Sequence, residues 1–226
     1  KYYDHYPVSV NRGISIANLG ADFGTVGNEA LTSTGLGRSR GVEVLYQQKF
    51  FKGLYGILAY TYVNSEFTGA SGAWTPSSWD SRHLVSITGG KVLKRNWEVG
   101  FVFRFSGGLP YTPDDVAASM NIQNWDALGV AVNDWSQLNT QRAGVYQQLD
   151  IRVDKKWYNK RWTLDLYFDI QNALGYETQL KPLLDVQRDA LGNPVVDPNN
   201  PSQYLPNFIP NTNGTVLPSV GIIVEL

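Results

Sequence analysis

Apolar and polar residues alternate strictly in one segment of this chain after another. In Leu149-Asp150-Ile151-Arg152-Val153-Asp154 every second residue is aliphatic and each residue between is charged. The run from Trp162 to Gln171 repeats the pattern over a longer stretch. Side chains of a strand point to opposite faces in turn, so each such segment carries one apolar and one polar face. Half-buried strands of a soluble sandwich alternate in the same way. Alternation alone therefore leaves open whether the apolar face meets a protein core or lipid.

The pattern predicts strands near residues 1–9, 36–50, 54–66, 82–93, 96–106, 144–157, 161–174 and 217–226. Residues 11–35, rich in Gly, Asn and Thr, read as a loop with short strand pieces. The stretch 182–214 holds Pro182, Pro194, Pro198, Pro201, Pro206 and Pro210, which excludes both helix and central strand. No helix, heptad or domain linker is expected.

The connections fall into two classes that take turns along the chain. Phe51-Lys52-Gly53, Lys94-Arg95-Asn96 and Tyr158-Asn159-Lys160 are short, whereas 67–80, 107–143 and 175–217 are long. In an up-and-down sheet this order gathers the short turns at one end and the long loops at the other. Outer-membrane barrels show that asymmetry. Aromatic residues flank both ends of the strands: Phe50, Phe51, Trp97, Trp157 and Trp162 by the turns, Tyr60, Tyr62, Phe105 and Tyr176 near the loops. Rings with a polar edge favour the boundary between hydrocarbon and water. The strands run to about ten residues, near the 9–11 that a tilted membrane crossing takes.

Composition narrows the function classes. At 42% hydrophobic and 17% charged, the sequence holds no run of about 18 apolar residues that could form a spanning helix. The absence of Cys removes disulfides, thiolate metal sites and a cysteine nucleophile. A net charge of -1 argues against nucleic acid as a partner. His5 and His83 are the only histidines, and neither stands in a metal spacing or beside a Ser nucleophile motif, so no enzyme is expected. Asp114-Asp115 and Asp185 with Asp189 lack the twelve-residue calcium-loop pattern, and no metal or other cofactor is expected.

The chain opens on Lys1-Tyr2-Tyr3 without a start Met or signal segment, which an exported protein would lose or a truncated one would lack. It closes on an alternating strand with Val220, Ile222, Val224 and Leu226 on one face. That ending points to a native C-terminus, because assembly machinery reads such a last strand in outer-membrane barrels.

Gly37-Arg38-Ser39-Arg40-Gly41-Val42-Glu43, Tyr60-Thr61-Tyr62, Trp79-Asp80-Ser81-Arg82-His83, Gly107-Gly108-Leu109-Pro110-Tyr111-Thr112-Pro113, Leu149-Asp150-Ile151-Arg152 and Asp169-Ile170-Gln171-Asn172 follow one another in this order. Taken together they resemble the C-terminal third of a TonB-dependent outer-membrane transporter, in the branch that often carries a carboxypeptidase-regulatory-like domain. The resemblance implies an all-β fold: the last eight or so strands, residues 1–226, of an antiparallel transmembrane barrel of about 22 strands. Its plug and earlier strands would come from elsewhere in the same protein. It further implies a bacterial outer-membrane location and TonB-driven import of a bulky nutrient such as a glycan, siderophore or peptide. TonB would act through the missing part, and a surface lipoprotein could sit over the loops.

On that reading Glu43, Glu98, Arg104, Asp150, Arg152, Asp154, Asp165 and Asp169 form the lumen-facing polar wall, with Asp165 and Asp169 paired across the turn to the Asp150–Asp154 face in a salt-bridge ladder. Trp74, Trp79, Tyr111, Trp125, Trp135 and Tyr204 are the candidate substrate-stacking aromatics, with Asp114, Asp115, Asp126 and Asp134 as polar partners. The competing expectation is that these aromatics pack the loops against one another. Two other readings stay open: a small stand-alone barrel acting as an adhesin or structural outer-membrane protein, and a soluble β-sandwich.

Overall fold

The computed structural model describes residues 1–19 and 29–226. Its main sheet is an antiparallel meander of eight strands: β1 (Tyr2–Ser9), β2 (Leu31–Phe51), β3 (Leu54–Thr68), β4 (Arg82–Val92), β5 (Trp97–Ser106), β6 (Tyr146–Tyr158), β7 (Thr163–Gln171) and β8 (Leu217–Glu225). Each pairs with its neighbours in sequence, and Trp74–Pro76 folds back onto β3. The sheet is open, because β1 pairs only with β2 and β8 only with β7.

Local chemistry sets the turns. Phe51 pairs with Leu54 across a two-residue loop whose Lys52 and Gly53 both have positive φ (50° and 82°). That is the backbone hand that matches the twist of the flanking strands. Arg95 and Asn96 repeat the device between β4 and β5 with φ of 62° and 59°.

Register aligns the alternation of all these strands. One row runs Tyr46–Leu58–Ile87–Phe103–Leu149 and another, farther along, Phe101–Ile151–Ile170–Pro218. Leu164, Leu166 and Phe168 of β7 face the same side as Val224, Ile222 and Val220 of β8. The result is one continuous apolar face, and it is uncovered: Ile222 is 66% exposed and Phe168 48%. On the opposite face lie Glu98, Arg104, Asp150, Arg152, Asp154, Lys156, Asp165 and Asp169. No hydrophobic side chain of β4–β8 is buried, and the buried hydrophobic residues gather instead at the loop end.

The polar face is held by short-range pairing. Arg104 meets Asp150 at 2.8 Å across the β5–β6 pair, and Tyr55 Oη donates to Glu98 at 2.6 Å. The ladder expected across the β6–β7 turn takes a different form. Arg152 binds Asp154 along its own strand at 2.7 Å and lies 3.9 Å over the Tyr167 ring. Asp169, directly opposite Arg152, makes no ion pair among the described residues, while Asp165 has Lys156 at 4.0 Å. The ring of Tyr167 occupies the space through which a cross-strand guanidinium would reach. Tyr167 can lie flat there because Gly221 beside it has no side chain, just as Tyr55 lies over Gly90.

Two sequence expectations need correction. β2 begins at Leu31 rather than near 36, where it pairs with β1, and residues 20–28 of the expected 11–35 loop lie outside the described residues. The loop between β5 and β6 contains two short helices, α1 (Val116–Met120) and α2 (Ile122–Leu128), where none was expected. Five and seven residues are too few for a helical period to stand out; caps define these helices. Asp115 accepts from the Ala118 N–H, Asn121 accepts from the Asn124 N–H, and Gly129 closes α2 at φ 67°. No described helix is long and apolar enough to cross a membrane.

A Cβ built on Gly90 would stand 2.3 Å from Tyr55 Oη. Gly90→Ala is therefore expected to displace Tyr55 from Glu98 and destabilise the sheet by about 1–3 kcal/mol, as overpacking does. Paired thermal unfolding of Gly90→Ala and Gly90→Ala/Tyr55→Ala checks this, the second change relieving most of the clash.

Candidate functional site

The long loops gather at one end of the sheet and interlock. Asp80, fully buried, sits at the joint. Its Oδ1 accepts from the Ser65 N–H of β3 at 2.9 Å, and its Oδ2 accepts from Arg82 Nε at 2.9 Å and Arg142 Nη2 at 2.5 Å. Arg142, from the end of the 107–145 loop, also donates to the backbone oxygens of Asp80 and Gly108. Burial pushes the Asp80 carboxyl up, but the Ser65 N–H and the two guanidinium groups outweigh it and hold the group below the ordinary carboxylate range.

Asn139 makes a second joint. Its Nδ2 donates at 2.8 Å to the backbone oxygens of both Asn18 and Pro76, tying three loops together. A third is Lys181, whose Nζ donates to Asp114 at 2.6 Å and Asn133 at 2.7 Å, joining the β7–β8 loop to the β5–β6 loop. The β7–β8 loop is itself a long hairpin arm. Thr178–Gln179 pairs with Thr212–Asn213, Leu183–Val186 with Pro206–Ile209, and Val196–Asp197 with Asn200–Tyr204. Of its prolines Pro201 and Pro206 sit in two-stranded ladders, Pro194 in an isolated bridge and Pro182, Pro198 and Pro210 outside any strand, all away from the central sheet, which is compatible with the missing N–H.

Two small apolar cores lie inside this crown. Ile14, Leu19 and Leu138 form one, with Ile16 and Trp135 against it. Met120, Trp125, Leu184 and Val186 form the other, with Ala131 and Tyr204 packed alongside.

The candidate aromatics accordingly separate. Trp125 is 7% exposed and belongs to the loop core, and Tyr204 packs beside it with Oη donating to Asp126 at 3.0 Å. Trp74 lies 4.1 Å beneath the Arg38 guanidinium, and Arg12 lies over Trp135 at 4.6 Å. Trp79 stays 59% exposed. Tyr111 and Trp135 both line a cavity of about 200 Å³ with Asn18, Thr112, Asn133 and Lys181. The four acidic candidates are all engaged by the protein: Asp115 and Asp134 as caps, Asp114 by Lys181, Asp126 by Tyr204. Hydrogen bonds from the Ser136 hydroxyl, the Gln137 amide and their N–H groups hold Asp134 low.

Two further concavities border the crown. A groove of about 500 Å³ runs between Trp125–Ala131 and Lys181–Arg188. A pocket of about 360 Å³ at the strand tops presents Tyr146, Gln148, Gln171, Asn172 and Tyr176. Amides and aromatic rings dominate the pocket, which suits hydrogen bonding and stacking, whereas the groove is lined by aliphatic and charged side chains such as Val130, Leu183, Asp185 and Arg188. Asp185 pairs with Arg188 at 3.6 Å, and Asp189 accepts the N–H groups of Leu191 and Asn193 as a turn former. Among the described residues no group of three or more His, Asp or Glu is placed to hold a metal ion.

No protein-family model matches the chain, and no curated protein matches it.

Replacing Asp80 by Asn leaves Arg82 and Arg142 without their anion; both guanidinium groups are partly exposed and can be rehydrated, so the loss is about 1–3 kcal/mol, that of charge-assisted hydrogen bonds rather than of a buried pair. Limited proteolysis is expected to cut the 107–145 loop much faster in Asp80→Asn. The same loosening is expected on acidification of the parent protein. The folded pKa is depressed, so the contribution is complete above the unfolded carboxylate value and fades as pH falls through the lower folded one. An acid-active protease applied across that range reads the effect, and cleavage independent of pH would refute it.

Proposed function

We propose that this chain is wall and loop crown of a transmembrane β-barrel in the bacterial outer membrane, part of a TonB-dependent transporter that imports a bulky nutrient. The observation that carries the membrane reading is the pair of uncovered faces. A sandwich strand alternates because a second layer covers its apolar side, and among the described residues no layer does so here. Hydrocarbon is the solvent that suits the apolar side, and a lumen filled with water or a plug suits the charged one.

Girdle geometry supports the same reading. On the apolar face Phe51, Trp97 and Trp157 lie at the turn end and Tyr60, Tyr62 and Phe105 at the loop end. Trp97 to Phe105 along β5 is close to the 9–11 residues of a tilted crossing. Free edges on β1 and β8 favour a piece of a larger barrel over a stand-alone one, since a membrane tolerates no unpaired edge. The ordered resemblance of the motifs, from Gly37-Arg38-Ser39-Arg40 to Asp169-Ile170-Gln171-Asn172, supports the family. In this reading the crown supplies part of the substrate surface, through Tyr111, Trp135 and Trp79. The polar wall hydrogen-bonds the plug and water, TonB engages the plug, and a lipoprotein lid can cover the loops. No covalent bond is made or broken.

Mass spectrometry of every polypeptide in the detergent-purified sample, after denaturation, tests the assembly. Additional peptides carrying a plug and earlier strands are expected. A single 25.2 kDa species that stays soluble without detergent would end the proposal. The faces are tested separately. Leu166→Arg puts a charge on the apolar face and should cost about 2–4 kcal/mol near mid-membrane, with loss of the heat-modifiable folded band on gels. Asp165→Asn, on the polar face, should assemble like the parent.

A further inference from the structure

Above the apolar band on the same face, the rows change character in a fixed order. Val44–Tyr60–Val85 is followed by Val42–Tyr62–His83, then Arg40–Asn64, then Arg38–Glu66. Arg38 is spent: it binds Glu66 at 2.7 Å and stacks on Trp74. Arg40, one row closer to the apolar band, is different. Its Nε donates to Asn64 Oδ1 at 3.1 Å, and among the described residues no carboxylate pairs with it. Among the described residues neither terminal nitrogen of its guanidinium has a partner. His83 stacks against Tyr60 and Tyr62, with ring centroids 6.2 Å and 5.3 Å away. Tyr60 Oη lies 3.0 Å from His83 Nδ1. With Tyr60 donating there, His83 keeps Nε2–H as a free donor. Arg40 and His83 stand on strands two apart, about 10 Å, with Asn64 and Tyr62 between them.

Resting on the membrane reading above, we propose that Arg40 and His83, framed by Asn64 and Tyr62, form a surface site for the phosphate of an outer-leaflet lipid headgroup. A planar fork of donors fits phosphate in a bidentate manner, and the partner must be anionic because the only charge offered is cationic. Tyr60 and Tyr62 set the depth, since their rings favour the level where headgroups begin. Acyl chains of the same lipid would then lie along Val42, Val44, Tyr46 and Leu58, the exposed apolar run directly toward the turns. Charge, depth and the continuous apolar track thus converge on one molecule with a phosphate at one end and hydrocarbon at the other.

Native mass spectrometry of the detergent-solubilised protein, with every polypeptide that copurifies, tests this with diphosphoryl lipid A, its dephosphorylated form and inorganic phosphate as probes. The phosphorylated lipid should be retained in clear preference to the dephosphorylated one. Arg40→Gln should weaken it about fivefold, the worth of one basic residue near an anionic surface. Arg40→Lys, which keeps the charge but loses the fork, should bind between the parent and Arg40→Gln, and His83→Gln should lower binding independently if Arg40→Gln fails to assemble. Equal retention of the two lipids, or parental binding by both Arg40→Gln and His83→Gln, would overturn the site while leaving the membrane reading intact. Full competition by inorganic phosphate alone would also overturn it, by making free phosphate the ligand. Should neither lipid associate and the protein need no detergent, the membrane reading itself would fall.

Discussion

Everything in this molecule depends on a sheet that covers neither of its own faces. Backbone pairing along the meander satisfies the N–H and C=O groups between strands, but it gives the apolar side no protein to pack against. Phe101, Ile151, Phe168 and Ile222 contribute to folding only if something other than water meets them. The opposite side has the converse requirement. Its carboxylates and guanidinium groups pair within a strand or with the next one, as Arg152 does with Asp154 and Arg104 with Asp150, so that part of the wall's charge is neutralised without a second layer, while across β5–β7 its five carboxylates outnumber its three cations.

The crown is where ordinary protein packing resumes. Loops as long as those after β5 and β7 would be costly to order if each stood alone. Here they share two apolar cores and three polar joints at Asp80, Asn139 and Lys181, each of which ties residues far apart in sequence. Asp80 is the most consequential, because it binds both a strand of the wall and the return end of the β5–β6 loop. Rigidity of the surface that a ligand would meet is thus inherited from the sheet through one buried carboxylate.

Strands were legible because their alternation is regular and sustained over long runs: all eight expected segments correspond to strands, and the faces of Asp150, Arg152 and Asp154 follow from alternation alone. The crown was far less legible. Trp125 and Trp79 look alike in the sequence, yet one is core and the other is exposed, because the difference lies in contacts with Leu184 and Val186 some sixty residues away. Asp115 and Asn121 could have been recognised as caps from the small apolar runs that follow them. Arg142, Asn139 and Lys181 carried no local signal, since each acquires its role from a partner in another loop.

Direction of the strands limits how such a sheet can close. β1 and β8 are separated by seven antiparallel steps and therefore run oppositely, so antiparallel closure admits only an even number of further strands between them. β1 pairs with β2 only over Leu31–Arg38, which leaves the edge from Arg40 to Phe51 open. β8 cannot fill that edge in an antiparallel manner, because it runs in the same direction as β2. If the sheet closes as proposed, a segment running as β1 does would lie there, presenting apolar residues beside Val42, Val44 and Tyr46. On the barrel reading the open edge therefore specifies the direction and the alternation of the strand that would complete it.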